Sequence, residues 1–122
     1  MELTIYHNPK CSKSRETLEL LRGRGIEPRI VEYLKTPPTA AELAAIAKRL
    51  RIRPEALVRK GEEVYKARYA AKSLTDAEWI EALVRDPILI ERPIVVAGDR
   101  AAIGRPPQSV LAILDARTWP RR

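Results

Sequence analysis

The sequence predicts an α/β fold, and three features of the 122-residue chain lead to this prediction. A strand, a helix and a second strand follow one another near the N-terminus. Helical patterns dominate the middle of the chain. The hydrophobic period then changes to that of a β-hairpin, and a last helical pattern closes the chain.

The N-terminal elements form a βαβ unit. "ELTIYH" alternates polar and apolar residues, which indicates a strand. A helix is expected to begin at Ser12 and to end at the glycines Gly23 and Gly25. "PRIVEYL" has the composition of a second strand. Because the two strands are joined by a helix, we expect them to be parallel.

Residues 37–86 are predicted to form a helical insertion. Thr39 and Glu42 have the spacing of a capping box at the start of one helix, and Thr75 and Glu78 have the same spacing at the start of another. Shorter helices are expected between them. The insertion therefore separates the βαβ unit from the C-terminal strands.

The C-terminal third predicts a strand at Pro93–Ala97, a turn at Gly98 and Asp99, and a returning strand. "PPQSVLAIL" predicts the closing helix. This outline, βαβ followed by an insertion and ββα, is that of a thioredoxin-like domain. We expect one domain over residues 1–115 and a short tail over 116–122.

Composition limits the possible functions. The chain is 45% apolar and 32% charged, which is typical of a globular protein. It has no apolar run of about 18 residues that could span a bilayer, and "MELTIYH" does not resemble a secretory signal, so we expect a cytoplasmic protein. The single cysteine excludes an internal disulfide. With only one histidine beside it, we predict no metal site.

The net charge of +7 raises the possibility of nucleic-acid binding, but the distribution of charge argues against it. Basic residues are scattered and usually lie beside acidic ones, as in "GEEVYKARYAAK". A diffuse positive field equally favours a small oxyanion or an acidic partner.

Cys11 lies just before the first turn of the predicted helix, among the polar loop residues of "HNPKCSKS". Unpaired backbone N–H groups and the positive end of the helix dipole favour a thiolate there. Lys10, Lys13 and Arg15 add positive charge. Such positions lower a cysteine pKa to between about 3.5 and 7.5, and the same N–H groups bind oxyanions. We therefore predict a reactive cysteine beside an anion site.

Two neighbours of Cys11 bear on its chemistry. His7 is expected to tune the thiol by its charge or by hydrogen bonding. Ser14 stands where dithiol oxidoreductases of the C-x-x-C type have their second cysteine. An oxidised Cys11 must then be restored by a thiol from another molecule, most plausibly glutathione.

Several separated motifs resemble the glutaredoxin-coupled arsenate reductase (ArsC) family: "IYHNPKCSKSRETLELL", "VEYLKTPPT", "ALVRKGEEVYK", "DPILIERPIVV" and "IGRPPQSVLAIL". The resemblance runs from about residue 3 to residue 114, and "CSKSRETL" and "GRPPQ" are similar to a chromosomal branch of the family. It implies that Cys11 is the nucleophile and that His7 helps to keep it ionised. It implies that Arg59, Arg92 and Arg105 are catalytic as well, and that Pro93 is a structural cis-proline. It also implies an oxyanion site formed by the following residues: Cys11, Ser14, Arg15, Arg59, Arg92 and Arg105.

The resemblance also implies an activity, the reduction of arsenate to arsenite through a thiolate–arsenate adduct. Glutathione is the co-substrate, glutaredoxin is the protein partner, and no cofactor is bound; we expect a monomer. The alternative is an Spx-like thiol-redox regulator that binds a protein partner such as RNA polymerase. The arginine set and "HNPKC" favour the enzyme, and a nucleic-acid-binding module ranks last.

Overall fold

The protein is described by a computed structural model that covers residues 2–114. These residues form two compact units. The sheet unit contains residues 2–36 and 92–114, and the helical unit contains residues 37–91. The expected single domain over 1–115, with its insertion at about 37–86, stays a prediction. The tail at 116–122 lies outside the described residues.

The sheet unit contains one four-stranded sheet in the order β2-β1-β3-β4. Its strands are β1 (Leu3–His7), β2 (Arg29–Glu32), β3 (Ile94–Ala97) and β4 (Arg100–Ile103). Strand β1 is parallel to β2 and antiparallel to β3, and β4 returns antiparallel to β3. The parallel βαβ unit and the C-terminal hairpin predicted from the sequence are therefore confirmed.

Helix α1 (Ser12–Gly23) buries its apolar side in the core of the sheet unit. Leu18 and Leu21 lie in one buried cluster with Ile5 and Val95 of the sheet. Each such side chain contributes about 1.5–3 kcal/mol when it is fully buried. The helix ends as the glycine pattern predicts, and Gly25 has a φ of 79°, which favours glycine.

The predicted closing helix is a 3₁₀ helix over Pro107–Ile113. It packs against β4 and α1. Its buried residues Val110 and Ile113 join the same apolar cluster as Leu21. The sheet unit thus has a core formed by segments from both ends of the described chain.

The helical unit contains α2 (Ala40–Leu50), α3 (Glu63–Arg68) and α4 (Asp76–Arg85), with 3₁₀ helices at Pro54–Leu57 and Pro87–Leu89. Both predicted capping boxes are present, at the start of α2 and at the start of α4. Helix α4 packs against α2 and both 3₁₀ helices. Leu43, Leu57 and Leu83 are fully buried in this unit.

The helices of residues 2–114 are each too short or too polar to cross a membrane. The same residues contain no group of three or more histidine, cysteine, aspartate or glutamate side chains arranged to hold a metal ion.

Candidate active site

Cys11 is the N-cap residue of α1, with an extended backbone (φ −96°, ψ 123°). Its N–H donates to the Asn8 carbonyl at 2.9 Å, and its own carbonyl accepts from Arg15 N at 3.0 Å. These bonds close the loop after β1 and place a partly buried thiol at the helix N-terminus. The predicted position of the cysteine is therefore confirmed.

The surroundings of the sulfur lower the pKa of Cys11 below its usual value of 9.0. Burial raises this pKa, because a charged thiolate loses hydration there. The backbone N–H groups of Ser14 and Lys13 oppose burial by hydrogen bonding to the thiolate. A hydrogen bond from Arg92 and the charge of Arg105 lower the pKa further. Together the polar groups outweigh burial, so Cys11 ionises more readily than an ordinary cysteine.

The Arg105 side chain reaches the Cys11 sulfur. Its Nη2 lies 3.7 Å from Cys11 Sγ, and its Nε donates to the Arg92 carbonyl at 3.0 Å. Arg92 is itself buried, with 8% of its surface exposed. The Arg92–Pro93 peptide bond is cis. The structure thus brings together Cys11, Arg92 and Arg105, three of the residues predicted for the site.

His7 and Ser14 form a second, buried contact beside the thiol. His7 Nδ1 lies 2.6 Å from Ser14 Oγ, and this hydroxyl also accepts from Asn8 N at 3.0 Å. Burial lowers the pKa of His7 below 6.5; Glu32 raises it, and the charges of Arg22 and Arg15 lower it again. The ring is therefore mainly neutral near neutral pH.

Arg15 and Lys13 make local contacts in the predicted anion-binding loop. Arg15 Nη1 donates to the Pro9 carbonyl at 2.9 Å, which ties this side chain back over the loop. Lys13 Nζ lies 3.9 Å from Glu16 Oε1 across an exposed turn of the helix. Oxyanion binding by Ser14 and Arg15 stays a prediction.

Arg59 belongs to the helical unit and has two acidic neighbours there. Its Nε lies 3.2 Å from Glu62 Oε2, and its Nη1 lies 3.7 Å from Glu91 Oε1. Its backbone N–H donates to the Leu89 carbonyl at 2.7 Å. The Arg59 side chain is three-quarters buried. Its predicted part in oxyanion binding stays a prediction.

Two residues near the site, Asn8 and Gly104, were given no role of their own from the sequence, and Asn8 was expected in an exposed loop. Asn8 is buried, and its Oδ1 accepts from Lys10 N at 3.0 Å, so it shapes the loop before Cys11. An asparagine followed by a proline is a turn signal. Gly104 directly precedes Arg105, and an isolated glycine at the end of a strand indicates a close backbone approach.

Comparison with known proteins identifies the family of this chain. The ArsC family model matches residues 6–113. The uncharacterized protein YfgD of Escherichia coli K12 is 50% identical over 115 residues, which cover 93% of this chain and 97% of that protein. An arsenate reductase of Haemophilus influenzae is 48% identical over 116 residues, or 93% of this chain and 100% of that protein.

A solved structure is also similar to this chain. The arsenate reductase from Vibrio cholerae superposes with a TM-score of 0.90 at 47% identity, covering 93% of this chain and 98% of the other. The thioredoxin-like fold predicted from the sequence is confirmed by this similarity. On the strength of the family match and these identities, the chain belongs to the ArsC family.

Proposed function

We propose that this protein reduces arsenate to arsenite, with Cys11 as the nucleophile and with glutathione and glutaredoxin as the source of electrons. The observation that carries the proposal is the partly buried Cys11 sulfur at a helix N-terminus, 3.7 Å from the Arg105 guanidinium. Relatives that are 45–48% identical and bear the name arsenate reductase support it.

The charge distribution suits a tetrahedral oxyanion. Arsenate carries negative charge near neutral pH, and the planar fork of an arginine can bind two of its oxygens at once. Arg92 and Arg105 supply two such forks beside the sulfur. The N–H groups at the start of α1 add donors that favour negative charge. These groups stabilise charge that develops as the sulfur attacks.

The first step forms a bond between Cys11 Sγ and arsenic. An arsenic–oxygen bond breaks in the same step, and the oxygen leaves as water after taking up protons. Arsenic remains pentavalent in this adduct. The lowered pKa of Cys11 raises the fraction of the sulfur in the form that attacks, the thiolate.

The second step needs a thiol from another molecule. The chain has one cysteine, and Ser14 occupies the place of a resolving thiol, with its hydroxyl buried against His7. A glutathione thiolate attacks Cys11 Sγ and breaks the sulfur–arsenic bond. The bonding electron pair stays on arsenic, which leaves as trivalent arsenite, and a Cys11–glutathione disulfide forms. A glutaredoxin thiolate then removes the glutathione and restores Cys11.

A coupled assay tests the proposal. Arsenate-dependent oxidation of NADPH is measured with glutathione, glutaredoxin and glutathione reductase, for the wild type and for Cys11→Ser. Ser12→Ala, at an exposed neighbour, is the matched control. We expect turnover in the wild type and the control and none in Cys11→Ser. A folded wild type with a titratable thiol but no arsenate-dependent rate would contradict the proposal. The Spx-like alternative would then be tested by binding to RNA polymerase.

A further inference from the structure

Gly104 lies at a contact that leaves no room for a side chain. It is buried between the end of β4 and Arg105. A Cβ atom at this position would overlap Thr17 Oγ1 and would lie 2.8 Å from Pro93 Cγ. Both neighbours are side chains with little freedom, since Thr17 is fully buried and a proline ring is rigid. The close approach therefore requires glycine.

Thr17, one partner in this contact, belongs to helix α1, which begins directly after the proposed nucleophile Cys11. Thr17 Oγ1 donates to the Lys13 carbonyl at 2.8 Å, which ties its side chain to the first turn of α1. Cys11 caps the same turn. A change in the position of α1 at Thr17 is thus transmitted to the Cys11 sulfur through one rigid helix.

The other side of the contact carries the candidate oxyanion-binding arginines. Gly104 N donates to the Pro93 carbonyl at 2.9 Å, and Arg105 Nε donates to the Arg92 carbonyl at 3.0 Å. These two bonds hold the segment after β4 against the segment before β3. Gly104 is consequently a point of close approach between helix α1 and the segments that carry Arg92 and Arg105.

We propose that Gly104 is a positioning residue of the candidate active site, whose close approach to Thr17 and Pro93 sets the distance between the Arg105 guanidinium and the Cys11 sulfur. A side chain at this position separates α1 from the segment that carries Arg105. A displacement of about 1 Å in such a group can lower a catalytic rate by about 100-fold. For oxyanion turnover the inference rests on the proposed function; for the reactivity of Cys11 it does not.

The first variant is Gly104→Ala, and its matched control is Gly23→Ala. Gly23 lies at the end of α1, and a Cβ atom there would meet no heavy atom within 4 Å. We expect Gly104→Ala to lower kcat/KM for arsenate by about 10- to 100-fold. We also expect iodoacetamide to alkylate its Cys11 several-fold more slowly near neutral pH, because the charge of Arg105 moves away from the thiolate. The Gly23→Ala control should retain the wild-type kcat/KM for arsenate and the wild-type rate of Cys11 alkylation.

A second variant tests the steric cause. Thr17→Ala removes the hydroxyl and methyl groups that a Cβ atom at position 104 would meet. In the double variant Gly104→Ala/Thr17→Ala, alkylation should recover in part, so that the two changes are not additive. A folded Gly104→Ala protein with wild-type alkylation and kcat/KM would overturn the proposal.

If Gly104→Ala alone does not fold, the double variant is compared with Thr17→Ala. The remaining 2.8 Å approach to Pro93 Cγ predicts slower alkylation in the double variant. Equal rates in these two proteins would overturn the proposal. A wild type that turns over no arsenate would contradict the proposed function alone, since the alkylation comparison still tests the role of Gly104.

Discussion

His7 Nδ1 lies 2.6 Å from Ser14 Oγ, and this contact joins the end of β1 to the first turn of α1. The backbone N–H of Ser14 is one of the groups that lower the pKa of Cys11. Because burial keeps the His7 ring mainly neutral, the geometry favours an effect through hydrogen bonding over one through positive charge. We therefore expect His7 to influence the thiol by holding Ser14 in place.

The variant Ser14→Ala tests this connection. We expect the pKa of Cys11 to rise, because the first turn loses its anchor on His7, and iodoacetamide alkylation to slow several-fold near neutral pH. Leaving a buried polar partner unsatisfied also costs about 1–3 kcal/mol of unfolding free energy. Urea unfolding measures the second effect. The exposed neighbour Ser12→Ala is the control, and an unchanged alkylation profile in Ser14→Ala would contradict the role of the contact.

The pH dependence of stability tests the state of His7. Its pKa is lowered in the folded protein, so above 6.5 the ring is mainly neutral in both the folded and the unfolded states. Below 6.5 the unfolded ring binds a proton more readily, and the unfolding free energy falls until the pH reaches the folded pKa. We therefore expect the wild type to lose more stability than His7→Asn between about pH 6.5 and pH 5.

Urea unfolding of both proteins across this pH range measures the difference. The carboxylates are common to the two chains, so their titration largely cancels when the profiles are subtracted. A difference that does not change with pH would show that His7 does not titrate with a lowered pKa.

Arg105→Lys tests the need for a guanidinium beside the sulfur. Lysine keeps the positive charge but loses the Nε donor to the Arg92 carbonyl and the planar fork. We expect kcat/KM for arsenate to fall by about 10- to 100-fold, since a hydrogen bond to a charged group contributes about 1.5–3 kcal/mol. Arg24→Lys, at the exposed end of α1, is the control. Wild-type kinetics in Arg105→Lys would contradict the bidentate role.

Arg59→Ala separates oxyanion binding from activation of the thiol. If Arg59 binds the oxyanion, its loss should raise KM for arsenate by about 10-fold or more. The pKa of Cys11 is lowered by groups of the sheet unit, so alkylation of Cys11 should stay close to the wild-type rate. Arg53→Ala, an exposed arginine of the same unit paired with Asp76, is the matched control. An unchanged KM in Arg59→Ala would remove this residue from the site.

Thr39→Ala tests the first capping box of the helical unit. The Thr39 hydroxyl accepts from Glu42 N at 3.1 Å, and this bond is lost in the variant. We expect a loss of about 0.5–2 kcal/mol in unfolding free energy, and Thr39→Ser should restore most of it. Urea unfolding gives the magnitude. Unchanged stability in Thr39→Ala would show that this cap contributes little.

Elements specified by neighbouring residues could be predicted from the sequence. The capping box between Thr75 and Glu78 and the position of Cys11 before α1 depend on spacings of a few residues. The order of strands along the chain, the parallel βαβ unit and the C-terminal hairpin followed from short connections and from a change of hydrophobic period. These predictions needed no knowledge of tertiary packing.

The details that depend on long-range packing could not be predicted in this way. Arg105 Nη2 meets Cys11 Sγ across 94 positions of sequence, and the spacing of residues along the chain does not give this distance. The contact of Gly104 with Thr17 depends on how a strand end meets a helix face. The 3₁₀ geometry of Pro107–Ile113 depends on its packing against β4 and α1.

The two sequence segments of the sheet unit are separated by the helical unit, and this separation has a consequence for folding during synthesis on the ribosome. Strand β1 lies between β2, which follows it closely, and β3, which begins at Ile94. At translation rates of about 5–20 residues per second, the intervening helical unit takes on the order of several seconds to emerge. Throughout that interval the nascent β1 has hydrogen-bonding partners on one edge only. An unpaired strand edge can pair with another chain and lead to aggregation, so we expect β1 to be exposed to this hazard until the last third of the chain has been made.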